Sequence, residues 1–443
     1  MSTPGDPSVD PVDLAARLIR LDSSNPPGGE GECIGLIADL LRRSEVEPRV
    51  LAADPVRPNV IARIEGRGQA PPLLLYGHVD VVPASEGWRH PPFSGALVDG
   101  ELWGRGALDM KGGLAMLICA FLRAAQAPTP PPGDLLLAVT ADEEAGGKHG
   151  AAFLVSEHPE LFAGVRHAIS EFGGYTHHAA GRRLYPIQVA QKSRCLLRLS
   201  AHGPSGHPST PTPQTAIGTL ARALARIDGR RLTAEVTEPV ALMVRAMADG
   251  LPSVQAIGLR ALLRPRLTGL VLRAAGAQAE DLEPLFRDTV VATVLNGGEA
   301  ANVIPASASA LLDCRLLPGH DALQLKAEVE PLLPRGADLE ILEHEPSSRS
   351  RPDLAMFDLL AGVLREEDPA GHPFPLVSPG MTDARHFDRL GIQTYGCLPM
   401  RLEPGLMPKL MHAVDERVPA AALVAGTPAI GRIIDRYNQV TQP

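Results

Sequence analysis

Thiolate chemistry is the first thing this sequence lacks. Its five cysteines, Cys33, Cys119, Cys195, Cys314 and Cys397, are odd in number, scattered and without a CxxC pair. That argues against a disulfide framework and against a thiolate zinc site. A basic footprint is missing as well. Lys and Arg number 42 against 51 Asp and Glu, a formal net charge of -9, so no nucleic-acid partner is expected. Four arginines, Arg260, Arg264, Arg266 and Arg273, gather loosely and read as a solvated helix face. No apolar run reaches the roughly 18 residues that a membrane span needs, so no membrane partner is expected. The opening MSTPGDPSVDPVD has no basic start leading into an apolar stretch. No signal peptide is therefore expected, and a cytoplasmic setting fits best.

What is present is ordinary globular material, long enough for two domains. The chain has 443 residues, 44% of them hydrophobic and 21% charged. Short apolar runs at Leu73–Tyr76, Leu135–Thr140 and Val165–Ser170 predict buried strands. The Ala- and Leu-rich stretch Gly112–Ala125 predicts a helix between the first two. Such alternation favours an α/β fold with a mostly parallel, helix-covered sheet. From about residue 190 the pattern changes. Strands are expected at Ser193–Ala201, Ala308–Leu316 and Ala337–Glu343, and helices near Thr215–Ile227 and Leu323–Leu333. These read as a smaller α+β (βαβ-type) domain, 191–346, inserted into a discontinuous sheet domain, 1–190 plus 347–443. The inserted domain carries an extra Arg/Leu-rich stretch near 232–295.

Acidic residues and histidines fall at telling places. His78 and Asp80 follow the first strand in LLLYGHVDVVP, and Asp109 precedes the helix in WGRGALDMKGG. Glu143 and Glu144 end the next strand, Glu171 ends the third, and His412 lies ahead of the last helix. Ligands of open α/β sheets bind beyond the carboxyl ends of the strands. Any one of these residues alone is ordinary: a solvated Glu-Glu pair, a loop HxD, or an Asp capping a helix. Together they deliver imidazoles and carboxylates to one edge. That donor set suits zinc or a similar divalent ion, and two close ions could activate a water and polarise a carbonyl together. The adjacent Glu143 and Glu144 could supply a general base and a ligand.

These segments resemble the co-catalytic, dinuclear zinc peptidase and aminoacylase family. Its members include aminoacylases, succinyl-diaminopimelate desuccinylases, acetylornithine deacetylases, carnosine dipeptidases and glutamate carboxypeptidases. The resemblance runs in order through GHVDVVP (77–83), WGRGALDMKGG (103–113), TADEEAGG (140–147), SEFGG (170–174), HGPSGHPS (202–209), NVIP (302–305), DCRLLPG (313–319), SPGMTDARHF (378–387) and HAVDER (412–417). It implies His78 and Glu171 as ligands of one metal, Glu144 and His412 of the other, and Asp109 as the bridge. Asp80 then orients His78, and Glu143 is the general base in an attack by metal-activated water on an amide carbonyl. From the inserted lid or dimerisation domain, His207 would stabilise the oxyanion, reaching the partner's site in a homodimer. Asn302 and Arg315 would contact the oxyanion or the substrate carboxylate, and Gly380 and Thr382 would cradle the substrate. The implied cofactors are two Zn2+, with Co2+ or Mn2+ as substitutes and no organic cofactor. The implied substrate is a small peptide or N-acyl amino acid with a free carboxylate. A non-catalytic binding protein on the same scaffold, or a single-metal hydrolase, is the alternative reading.

Overall fold

The computed structural model describes residues 9–440 apart from 211, 277–281 and 346–350. Its larger unit is built on a nine-stranded sheet. Four strands at the centre run parallel in the order Leu135–Thr140, Leu73–His78, His167–Ser170, Gln393–Gly396. Antiparallel pairings flank this centre, between Asn59–Ile64 and Leu135–Thr140 on one side and between Gln393–Gly396 and Arg182–Gln191 on the other. His372–Ser378 then adds a parallel edge strand.

The two-residue period of a strand explains how both faces of this sheet are covered. Leu73 and Leu75 point into one apolar cluster with the helices Pro11–Ile19, Lys111–Gln126, Leu354–Glu367 and Ala420–Asp435. Leu74 and Tyr76 point into another with Leu154, Phe162 and Phe387. Buried on both faces, Leu73–His78 and Leu135–Thr140 are unexposed along their whole length, as parallel strands under helices are.

The smaller unit has a four-stranded sheet in the order Thr289–Gly297, Ser307–Leu316, Ser193–His202, Ala337–His344. Here the strand–helix–strand succession folds with all neighbouring strands antiparallel. One face is packed by Ala216–Ile227 and Ala322–Val329 and the other is open, so Ser193–His202 alternates buried and wetter residues. Thr215 caps the first helix, accepting from the Gly218 amide, and Asp321 with Gln324 forms a capping box on the second.

The stretch near 232–295 departs from the sequence expectation. Its helices Glu238–Gly250, Ser253–Ala261 and Pro265–Ala275 bury Val240, Met243, Val244 and Leu272 in the core of the large sheet, not in the smaller unit's core. Position in the sequence does not say which core a helix joins; only the packing of its apolar face does. The expected boundary at 346/347 lies outside the described residues. Among those described, no helix is long and apolar enough to cross a membrane.

Candidate metal centre

The parallel strands end side by side, and their ends carry the donors. His78 is the last residue of its strand, level with Thr140 on the neighbouring one. Glu171 directly follows His167–Ser170, and Glu143–Ala145 is one short turn beyond Leu135–Thr140. Asp109 arrives just before the buried helix Lys111–Gln126. His412 comes from the far end of the chain. A small sheet pairing Arg417–Pro419 with Glu101–Trp103 brings its segment alongside residues 104–109.

Asp109 stands in the middle. Its Oδ1 is 3.2 Å from His78 Nε2, and its Oδ2 is 3.0 Å from His412 Nε2. Glu171 Oε2 lies 3.3 Å from the same His78 nitrogen, and Glu144 Oε1 lies 3.5 Å from His412 Nε2. Donor atoms of His78, Glu143 and Glu171 lie within 4.8 Å of one another, and so do those of Asp109, Glu144 and His412. The structure thus gathers two adjacent groups, joined through the two oxygens of one carboxylate.

The electrostatics call for cations. Burial raises the Glu143 carboxyl well above its ordinary range, and the Glu171 charge adds to it. Burial also pushes Glu171 up to about 8. A hydrogen bond to Asp109 and the nearby Glu144 carboxylate push the His412 imidazole up to about 10. Burial works against a charged His78, yet Glu171 and Asp109 hold it well above the usual range. Against its own burial, Asp109 is kept low by His412 and His78. Glu143 and Glu171 are thus driven to keep protons, and His78 and His412 to take them up, a demand that divalent ions would meet instead. Among the described residues, no Lys or Arg forms an ion pair with Asp109, Glu143, Glu144 or Glu171. Glu144 Oε1 is buried without a hydrogen-bond partner. Carboxylate and imidazole donors of this kind fit two divalent metal ions.

A second layer holds the donors, and sequence reasoning found only part of it. His78 Nδ1 is 2.9 Å from the main-chain oxygen of Asp80, closer than the 3.5 Å to the Asp80 carboxylate. That carboxylate is occupied otherwise. It accepts the amides of Glu143 and Glu144, each at 3.1 Å, and the Asn25 side chain at 2.9 Å. Asn25 also donates to Asp142, whose carboxylate meets Arg57 at 2.8 Å. Arg57 in turn forks onto the fully buried Glu30 at 2.5 and 3.1 Å, and Glu30 accepts the Asp142 amide. Asp142 sits at φ +68°, a left-handed conformation that an Asp tolerates when its side chain is tied down. On the other side, Glu416 pairs with Arg105 at 2.6 Å and accepts the amides of Leu108 and Asp109. Arg105 also donates to the His412 carbonyl. Glu416, Arg105 and Asp142 lie inside motifs quoted above, but Arg57, Glu30 and Asn25 carried no signal.

The other expected residues are exposed or bonded elsewhere. His207 is exposed, its Nδ1 2.7 Å from Ser209 Oγ. Asn302 is exposed too, on a segment whose Ile304 pairs with Gly206. Arg315 lies forked on Asp313 of its own strand at 2.7 and 3.3 Å. Gly380 is exposed, whereas the buried Thr382 gives its amide and hydroxyl to Gln191 Oε1. None of these five hydrogen-bonds a metal-ligand candidate among the described residues. A cavity of about 420 Å3 lies on the open face of the smaller sheet, lined by Arg198, His202, Asn296 and Glu299 among others, and is not at the metal centre.

The description "Peptidase family M20/M25/M40" matches residues 74–436. A succinyl-diaminopimelate desuccinylase of Paracoccus denitrificans is 30% identical, over 97% of this chain and 99% of its own length. Among solved structures, an M20 family metallo-carboxypeptidase from Sulfolobus solfataricus aligns with a TM-score of 0.71 at 17% identity, covering 97% of this chain and 99% of the other. Human carnosine dipeptidase 1 aligns with a TM-score of 0.65 at 15% identity, covering 98% and 96%. At these identities the two structures speak for the fold.

Proposed function

The chain belongs to peptidase family M20/M25/M40, a metal-dependent hydrolase of amide bonds, and from that premise we propose that it cleaves an N-acyl amino acid or small peptide bearing a free carboxylate, with two zinc ions. The observation that carries this reading is Asp109, whose two oxygens face imidazoles from opposite ends of the chain. One metal would be held by His78 and Glu171, the other by Glu144 and His412, with Asp109 shared. Bound there, the ions supply activation of a water and polarisation of the scissile carbonyl.

The protein's own part is positioning and proton handling. Glu143, next to a ligand and close to Glu171, takes the proton of the attacking water and returns it to the leaving amine. The Asp80 carboxylate holds the amides of Glu143 and Glu144, so base and ligand are oriented by one group. Arg315 has the planar fork that suits a substrate carboxylate, for which it would exchange Asp313. His207 and Asn302, on paired segments of the smaller unit, supply oxyanion contacts, His207 across a homodimer. Gly380 and Thr382 border the substrate. The five free cysteines, all buried, are in keeping with a cytoplasmic enzyme.

The test is amine release from a panel of N-acetyl, N-succinyl and carbamoyl amino acids and dipeptides. Chelator-stripped protein is compared with protein reloaded with zinc, cobalt or manganese, and bound metal is counted. Turnover that appears only on reloading, at two ions per chain, is expected. Equal turnover by the stripped protein, or saturation at one ion, would sink the dinuclear reading.

A further inference from the structure

The helices Ser253–Ala261 and Pro265–Ala275 lie in a segment to which the amide chemistry assigns no task. They turn Ala256, Leu262, Thr268 and Leu272 inward. Outward they present aliphatic side chains: Val254 is 81% exposed, Ile257 69%, Leu270 59% and Leu267 37%. On the second helix Leu267, Leu270 and Ala274 fall at i, i+3 and i+7, on one face. Residues 253–275 also contain Arg260, Arg264, Arg266 and Arg273, all exposed, and no Asp or Glu, in a chain of net charge -9. Arg260 meets Asp249 of the preceding helix, and Arg273 donates to the Gly269 carbonyl. Arg264 and Arg266 form no ion pair among the described residues.

We propose that this helical pair is a docking surface for an anionic lipid bilayer. Exposed aliphatic groups singly need no explanation. Four of them on a segment that carries four arginines and no acidic residue of its own are different. They match the boundary between acyl chains and negative headgroups, which rewards apolar burial and positive charge together. The contact is peripheral and needs no spanning helix. A nucleic acid would meet the arginines but leave the aliphatic groups in water. The contact also departs from the expectation that no membrane is involved, because that expectation asked only about spanning runs.

The metal-loaded full chain is co-sedimented at low salt with vesicles of phosphatidylcholine, with and without phosphatidylglycerol. Binding to the anionic vesicles is expected, and little to the neutral ones. The triple change Arg264→Gln, Arg266→Gln, Arg273→Gln should weaken binding about a hundredfold. The change Val254→Ser, Ile257→Ser, Leu270→Ser should weaken it at least tenfold. All six side chains are surface-placed, so thermal melting should confirm that both variants fold. No binding to anionic vesicles overturns the proposal, as does undiminished binding by either folded variant. Concentration-dependent self-association that the same substitutions abolish, without vesicle binding, would assign the face to a second copy and equally overturn it.

Discussion

Two regions carry family motifs of similar length, and the fold treats them differently. At the end of the large sheet, His78, Asp109 and Glu171 are buried and His412 is exposed, and each meets a partner from elsewhere in the chain. In the smaller unit, His207 and Asn302 are exposed, and His207 and Arg315 bond to side chains two positions away. Rigid strand ends build the first set before any substrate arrives. The second set waits on loops and an open sheet face. A site that must hold charge needs advance construction, because unpaired buried carboxylates are costly. A site that must admit and release substrates can leave its contacts to be made on binding.

Substitutions can break or sharpen that contrast. The largest effect is expected for Glu143→Gln, which keeps the shape of the built site and removes its base. We expect kcat to fall by about 10²–10⁴-fold with bound metal unchanged. Loss of metal as well would make Glu143 a ligand, as its closeness to His78 and Glu171 allows.

Arg57→Met comes next, and it tests the second layer. It strands the buried Glu30 and Asp142, so about 3–5 kcal/mol of stability should go in denaturant unfolding. Metal affinity should fall about 10–100-fold by competition with a chelator, and Arg57→Lys should restore part of each. Unchanged affinity in the folded variant would show that the Asp142–Glu144 turn stands without Arg57.

Arg315→Ala probes the open region. KM should rise about 10–100-fold for carboxylate-bearing substrates, with melting temperature within a degree or two of the parent. A large stability loss instead would make Arg315 a structural partner of Asp313.

The smallest effect concerns pH. Burial and Arg385 hold the His386 ring neutral, lowering it to about 3, while the ring donates to the Gly146 carbonyl beside the metal turn. Below its ordinary range the unfolded chain binds a proton that the folded one refuses. Stability is therefore present above about pH 6.5 and falls on acidification, by roughly 1 kcal/mol per unit between pH 6 and 4. The midpoint of denaturant unfolding of metal-loaded protein should show this slope, and His386→Gln should flatten it. Parallel slopes for the two proteins would contradict it.

Much of this was legible in advance because it is local. Leu135–Thr140 reads as a strand and is one, and Gly112–Ala125 reads as the helix found at Lys111–Gln126. The donors were visible as single charged residues behind apolar runs and beside glycines, since a strand end at a sheet edge is where such residues can serve. The supporting layer was not visible. Asn25 meets Asp80 across 55 residues, and Arg57 meets Glu30 across 27 with neither in a motif. The sequence also leaves open which sheet the helices of 238–275 cover, because hydrophobic pattern shows that a face is buried, not against what.

By itself, then, the sequence determined the elements, a candidate donor set and the class of chemistry, through periodicity and residue type, which act over a few neighbours. Only the tertiary structure decided that Asp109 stands between His78 and His412 and that Arg57 braces the Asp142–Glu144 turn. It also decided that Arg315 rests on Asp313. The Asp109 pairings join distant parts of the chain, and only the packing of the sheet and its helices brings them within bonding distance.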